Sequence, residues 1–81
     1  MISERIEIRL PEFGKKGEKI NFLNWIKKVG DIVCDGDELF EVETDKATVV
    51  FEAEQSGVVA EFLVESGEVN EGDLLGFIDA R

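Results

Sequence analysis

Histidine is missing from this chain altogether, and cysteine, proline and methionine occur once each in 81 residues. Without an imidazole to activate it, Cys34 has no nucleophilic role to play and reads as a loop thiol in the polar stretch 31–37. No nucleophile–base pair and no metal-ligating cluster stands out, which argues against an enzyme in its own right. A single cysteine excludes an internal disulfide, and with it a disulfide-stapled scaffold, and is compatible with a reducing compartment. No apolar run is long enough to span a membrane as a helix, and residues 1–5 lack the apolar core of a signal peptide. Positive charge is scarce as well. Nine Lys and Arg against 19 Asp and Glu leave a net charge of −10. That sign opposes binding to nucleic-acid phosphates and to an anionic membrane surface.

What the chain does have is a core. A hydrophobic fraction of 43% and six Phe favour a folded state, and 81 residues suit one small domain spanning 1–81. Apolar residues do not recur at helical spacing, and Gly and Asp interrupt the chain too often for helices. Strands fit better. Residues 5–10 alternate, with Ile6, Ile8 and Leu10 on one face and Glu7 and Arg9 on the other. Further strands are expected over 20–27, 38–43, 48–53, 57–64 and 74–79, and Pro11 suits the end of the first, where no ladder N–H is required. Short strands at this spacing predict a small antiparallel sandwich or barrel.

The chain also repeats itself. Trp25-Ile26-Lys27-Lys28-Val29-Gly30-Asp31 aligns with Phe62-Leu63-Val64-Glu65-Ser66-Gly67-Glu68. After a one-residue gap at Ile32, Val33-Cys34-Asp35-Gly36-Asp37 aligns with Val69-Asn70-Glu71-Gly72-Asp73, and Leu39 and Val42 match Leu75 and Ile78. Neither unit can bury its apolar face alone, so two similar sheets related by a pseudo-two-fold axis are expected. The expected core is Trp25, Phe62, Leu63, Leu39, Val42, Val59, Leu75 and Ile78. Leu39 and Val42 stand three apart, as do Leu75 and Ile78, which calls for either a bulge or a strand end buried on both faces. Gly36 and Gly72 are expected at positive φ.

The halves differ at one place. After Val42 the first half runs through Glu43-Thr44-Asp45-Lys46-Ala47 into another strand, whereas the second stops at Asp79-Ala80-Arg81. Lys46 thus sits at a polar break between two strand-forming stretches, the pattern of a hairpin tip that holds one lysine out in solvent. The turn itself is expected to be stabilised by Asp45 and by the small Ala47. Lys46 and residues 79–81 should lie at opposite ends of the module.

From Ile8-Arg9-Leu10-Pro11 through the Trp25–Asp31 segment, Val33, Gly36 and Leu39–Ala47 to Phe77-Ile78, the sequence resembles the lipoyl domains of 2-oxo acid dehydrogenase complexes, in the biotinyl/lipoyl carrier family. The resemblance implies a flattened barrel, or barrel-sandwich hybrid, of two antiparallel sheets. It implies a non-catalytic swinging-arm carrier with lipoate joined to Lys46 by an amide bond, passing acyl groups and electrons between active sites. Implied partners are a lipoate–protein ligase or lipoyltransferase, a 2-oxo acid decarboxylase, the acyltransferase core and dihydrolipoamide dehydrogenase. The implied location is bacterial cytoplasm or mitochondrial matrix. Glu43, Thr44, Asp45 and Ala47 would be recognition residues, together with Gly14, Lys15 and Lys16 in the loop 13–19, which carries three lysines where relatives are often acidic. Biotin carriers place the lysine between methionines, and here the sole methionine is Met1. A biotin carboxyl carrier and a barrel-sandwich module that is never modified remain the alternatives.

Two other patterns fail. Gly14-Lys15-Lys16-Gly17 matches the GxxG loop of KH domains, but no helices accompany it and the net charge has the wrong sign. Residues 31–42 follow a calcium loop only in part, since Val33 and Val42 stand where oxygen ligands belong.

Overall fold

The computed structural model describes residues 4–12 and 19–80. They form β1 (Arg5–Arg9), β2 (Ile20–Trp25), β3 (Ile32–Val33), β4 (Glu38–Glu43), β5 (Thr48–Glu52), β6 (Gly57–Phe62), β7 (Gly67–Val69) and β8 (Leu74–Ala80). Two four-stranded antiparallel sheets result, ordered β1-β8-β6-β3 and β5-β4-β2-β7. The six strands expected from the sequence are present. β3 and β7, at two and three residues, lie inside what read as acidic glycine turns.

The order shows how the repeat is built. Strands β1–β4 and β5–β8 are the two units, and each gives two strands to each sheet. Register makes the equivalence residue by residue. Arg5 faces Asp79 as Thr48 faces Glu43, and Val33 faces Gly57 as Val69 faces Ile20. Ile32 faces Val58 as Glu68 faces Asn21, so the extra residue of the first unit falls at Gly30–Asp31 and not at Ile32, where the alignment put the gap.

The irregularities repeat too. Against β5, β4 steps from Glu38 to Phe40 while its partner moves one residue; against β1, β8 steps from Leu74 to Gly76 in the same way. Leu39 and Leu75 are therefore bulge residues. A bulge resets the two-residue alternation, which is why Leu39, Phe40 and Val42 are all buried and why three-residue spacing appeared in both units. The bulge explanation holds for both. A second matched pair puts Leu23 in β2 and Ala60 in β6 as the extra residues against β4 and β8.

Between the sheets Phe22, Leu10, Leu75, Val33, Val42 and Val59 are essentially inaccessible, with Ile8, Ile20, Leu39, Phe40, Ala53, Val69 and Ile78 buried around them. Trp25 and Phe62 are half-buried and pack against this cluster. Their rings stack face to face, centroids 4.0 Å apart and planes 4° from parallel, and the Trp25 indole N–H donates to the Val64 carbonyl at 2.7 Å. Leu63 departs from expectation. It is 49% exposed because β6 ends at Phe62 and Leu63 turns outward, its N–H donating to Leu75 O. Phe22 and Phe40, absent from the expected core, form part of it.

The turns before β4 and β8 are built alike. Asp37 N–H donates to Cys34 O and Asp73 N–H to Asn70 O, while each aspartate carboxylate accepts from the N–H of Cys34 or Asn70. Gly36 and Gly72 occupy the third position at φ 97° and 88°, as expected, and their N–H groups tie the turns to Ala53 O and Leu10 O. Most residues with a β-carbon take such a φ only at a cost, a β-branched one above all.

Gly36→Val and Gly72→Val should each lower stability by about 2 kcal/mol, since a β-branched side chain at positive φ is strained even in open space. Chemical denaturation midpoints unchanged in both variants would contradict the turn geometry. Trp25→Phe keeps the stack but loses the bond to Val64 and should cost about 1 kcal/mol. Trp25→Ala removes both and should cost about 3 kcal/mol. Equal losses in the same experiment would show that the stack contributes nothing.

Candidate functional site: the Lys46 hairpin tip

Strands β4 and β5 carry the tip on a firm base. Val42 is fully buried beneath it and pairs with half-buried Val49, and the last strand pair is Glu43 opposite Thr48. Glu43 is also held from the other side by Asn21 of β2. Beyond it, Thr44 N–H donates to Ala47 O at 2.8 Å, leaving Asp45 and Lys46 as a two-residue tip.

Two-residue hairpins usually need positive φ, supplied by Gly or Asn, so that the turn follows the strand twist. No non-glycine residue among those described has positive φ. The tip is instead closed by the Thr44 hydroxyl. It accepts from Lys46 N–H and Ala47 N–H at 3.3 Å each, and donates to Ala47 O at 3.2 Å. Asp45, to which the sequence reading gave this work, makes no hydrogen bond among the described residues; its carboxylate is exposed. A threonine oxygen can reach forward along its own backbone as an aspartate can. Here Thr44, at the strand end, is the one placed to do so.

Lys46 is exposed, with no ion pair among the described residues, and exposed Glu43, Asp45 and Ala47 surround it in sequence. The four expected residues 43–47 about the lysine are thus brought together. Gly14, Lys15 and Lys16 lie outside the described residues. Lys19, the first described residue after them, is exposed and leads into β2 at the end nearest the tip, because Asn21 pairs with Glu43. The same register brings Glu68 of β7 opposite Asn21, so a row Thr48–Glu43–Asn21–Glu68 crosses the sheet below the lysine. Asn21 and Glu68 were not singled out from sequence, since their neighbourhood depends on a three-residue strand.

Cys34 is exposed, and its N–H and carbonyl are spent on the Gly36 turn. Among the described residues no group of His, Cys, Asp and Glu is arranged to hold a metal ion. A cleft between edge strands β1 and β5, lined by Ile6, Ile8, Leu39, Phe40, Phe51 and Ala53 among others, is the open seam of the sandwich and includes none of residues 43–48.

Comparison with known proteins agrees with this geometry. Residues 6–78 match the biotin/lipoyl family described as "Biotin-requiring enzyme". The chain is 41% identical over 73 residues to the dihydrolipoyllysine-residue succinyltransferase component of the 2-oxoglutarate dehydrogenase complex of Bacillus subtilis, covering 89% of this chain and 18% of that protein. It is 37% identical over 68 residues to the mitochondrial pyruvate dehydrogenase protein X component of Mus musculus, covering 84% of this chain and 14% of that protein. The chain therefore spans less than a fifth of these relatives. In structure it is similar to the lipoyl domain of the 2-oxoglutarate dehydrogenase complex from Azotobacter vinelandii, with a TM-score of 0.72 and 32% identity, covering 94% of this chain and 96% of that one. With two interlocked sheets, a lone lysine at the tip that joins the repeats, and a family match from β1 to β8, the chain belongs to the biotinyl/lipoyl family.

Proposed function

We propose that residues 1–81 form one lipoyl carrier domain, non-catalytic by itself, and that Lys46 is the lysine to which lipoate is attached. The observation that carries this reading is the presentation of Lys46. Its ammonium is free of ion pairs among the described residues and stands on a closed two-residue tip above a buried valine. Such a lysine fits the group, because an acylating enzyme can surround the amine without displacing a partner or opening a strand. Amide formation removes the lysine charge and extends an already flexible stem. When bound, lipoate supplies a dithiolane that accepts acyl groups and electrons; the chain supplies position and recognition.

The absence of flanking methionines and the presence of Asp45 and Ala47 favour lipoate over biotin. The names of the relatives favour it too, since those matched above are components of 2-oxo acid dehydrogenase complexes. In such an assembly the domain would meet a lipoate–protein ligase or lipoyltransferase first, then the 2-oxo acid decarboxylase, the acyltransferase core and dihydrolipoamide dehydrogenase. A tether raises the concentration of the arm at each active site, by an amount that the linker sets. Relatives include bacterial and mitochondrial proteins, and the proposal suits bacterial cytoplasm or mitochondrial matrix equally. Glu43, Asp45 and Ala47, exposed around the lysine, are the residues such partners would read, with Gly14, Lys15 and Lys16 as a second contact. Thr44, expected among them from the sequence, is half-buried with its hydroxyl engaged inside the tip, and is assigned to the turn instead.

Incubation with a lipoate–protein ligase, lipoate and ATP should add one lipoyl group, at Lys46, by intact mass and peptide mapping. Lys46→Arg should abolish the shift. Modification of Lys15, Lys16 or Lys19 in that variant would refute the assignment, and a biotin adduct from a biotin ligase in place of a lipoyl one would favour the biotin carrier. No adduct under either condition would leave a structural module.

A further inference from the structure

We infer that the Thr44 hydroxyl is a positioning residue for the modification of Lys46: it fixes the direction in which the lysine leaves the hairpin, and no partner reads it directly. The inference rests on the reading of Lys46 as the attachment point.

A hydroxyl has one hydrogen to donate and two lone pairs to accept with. At Thr44 all three are used inside the tip, on Ala47 O, Lys46 N–H and Ala47 N–H. It has nothing left to offer a ligase without opening the turn. One of the groups it holds is the backbone N–H of Lys46 itself, so the bond acts directly on the residue whose amine reacts. Threonine is also stiff about χ1, and Thr44 is half-buried at the strand end.

The repeat supplies an internal control. Thr44 is equivalent to Ala80 and Ala47 to Glu4, and the backbone bond Thr44 N–H to Ala47 O recurs as Ala80 N–H to Glu4 O, at 2.8 Å in both places. The sandwich therefore makes this bond at both ends, and at the open end it does so with alanine. What the hydroxyl adds is confined to the end that carries a tip. Its removal should leave the sheets intact and release the tip, because the freed N–H groups can turn to water. Lys46 then samples many directions, and a nucleophile spread over many orientations reacts more slowly once docked.

The experiment compares Thr44→Val, Thr44→Ser and, as a control on the same strand pair outside the tip, Thr48→Val. In wild type and Thr44→Ser, the Lys46 and Ala47 amides should exchange hydrogen slowly; in Thr44→Val both should exchange at least roughly tenfold faster. Steady-state lipoylation by a lipoate–protein ligase should show kcat falling roughly tenfold in Thr44→Val at nearly constant KM, with Thr44→Ser and Thr48→Val within about twofold of wild type. Melting temperatures should stay close to one another. Unchanged kcat in Thr44→Val would overturn the inference, as would Thr44→Ser failing equally, since that would mean the threonine itself is read. A rise in KM alone would also overturn it. If wild type is not modified at Lys46 at all while its tip amides are protected, it is the attachment reading that falls.

Discussion

Trp25 stacks on Phe62, and the rest of the molecule is arranged about that contact because the two are the same residue of the repeat. One comes from β2 and the other from β6, so the stack ties one sheet to the other where the pseudo-two-fold axis passes. Phe22 and Phe40 pack on Trp25, and Phe51 stacks on Phe40, extending the aromatic cluster towards the hairpin that bears Lys46. No half can form this alone. Each sheet draws two strands from each unit, so strand pairing and apolar burial are completed only when both units interlock. In a chain this short, with ten excess negative charges, that mutual dependence is what makes the fold cooperative.

The sequence made equivalence legible more readily than burial. Ile26 and Leu63 align across the repeat, and both occupy the residue just beyond a strand, where both donate to a bulge leucine's carbonyl and both are exposed. The pairing of Leu63 with Ile26 was right, and the assignment of Leu63 to the core was wrong, because a repeat shows that two sites are alike without showing which way they face. β3 and β7 were hidden for a different reason. Two or three residues between glycine turns carry no period to detect, and only the partners Ile20 and Gly57 reveal them as strands. The tip itself was readable as a tip, but its closure was not. Asp and Thr both reach forward to backbone N–H groups, and the choice between Thr44 and Asp45 depends on which one ends the strand.

Where the units agree, they agree inside. Phe22 and Val59, Val33 and Val69, Leu39 and Leu75, Val42 and Ile78 are matched apolar positions, all buried. Outside they diverge. Glu41, Asn21 and Glu68 on the sheet bearing Lys46 correspond to Phe77, Val58 and Ile32 on the other, where Arg5 also lies over the Phe77 ring and pairs with Asp79 and Glu61. Packing constrains the inner positions in both units alike, because a sandwich filled to crystal density tolerates little change of volume. The outer positions are free of that constraint, and the polar, acidic one of the two faces is the one beneath the lysine.

The separation of Lys46 from the strand ends at Glu4 and Ala80 follows from the duplication itself. When a unit is repeated about a two-fold axis, the segment joining the end of the first copy to the start of the second maps onto the end of the second and the start of the first. The joining segment here is Thr44–Ala47, and its mate is the pair Ala80 and Glu4, bonded to each other as Thr44 is to Ala47. Points exchanged by a two-fold lie equally far from the axis on opposite sides. The strand ends at Glu4 and Ala80 therefore lie on the side opposite Lys46, and whatever approaches the tip meets neither of them. The axis that Trp25 and Phe62 fix is thus also what keeps the Lys46 tip apart from the strand ends at Glu4 and Ala80.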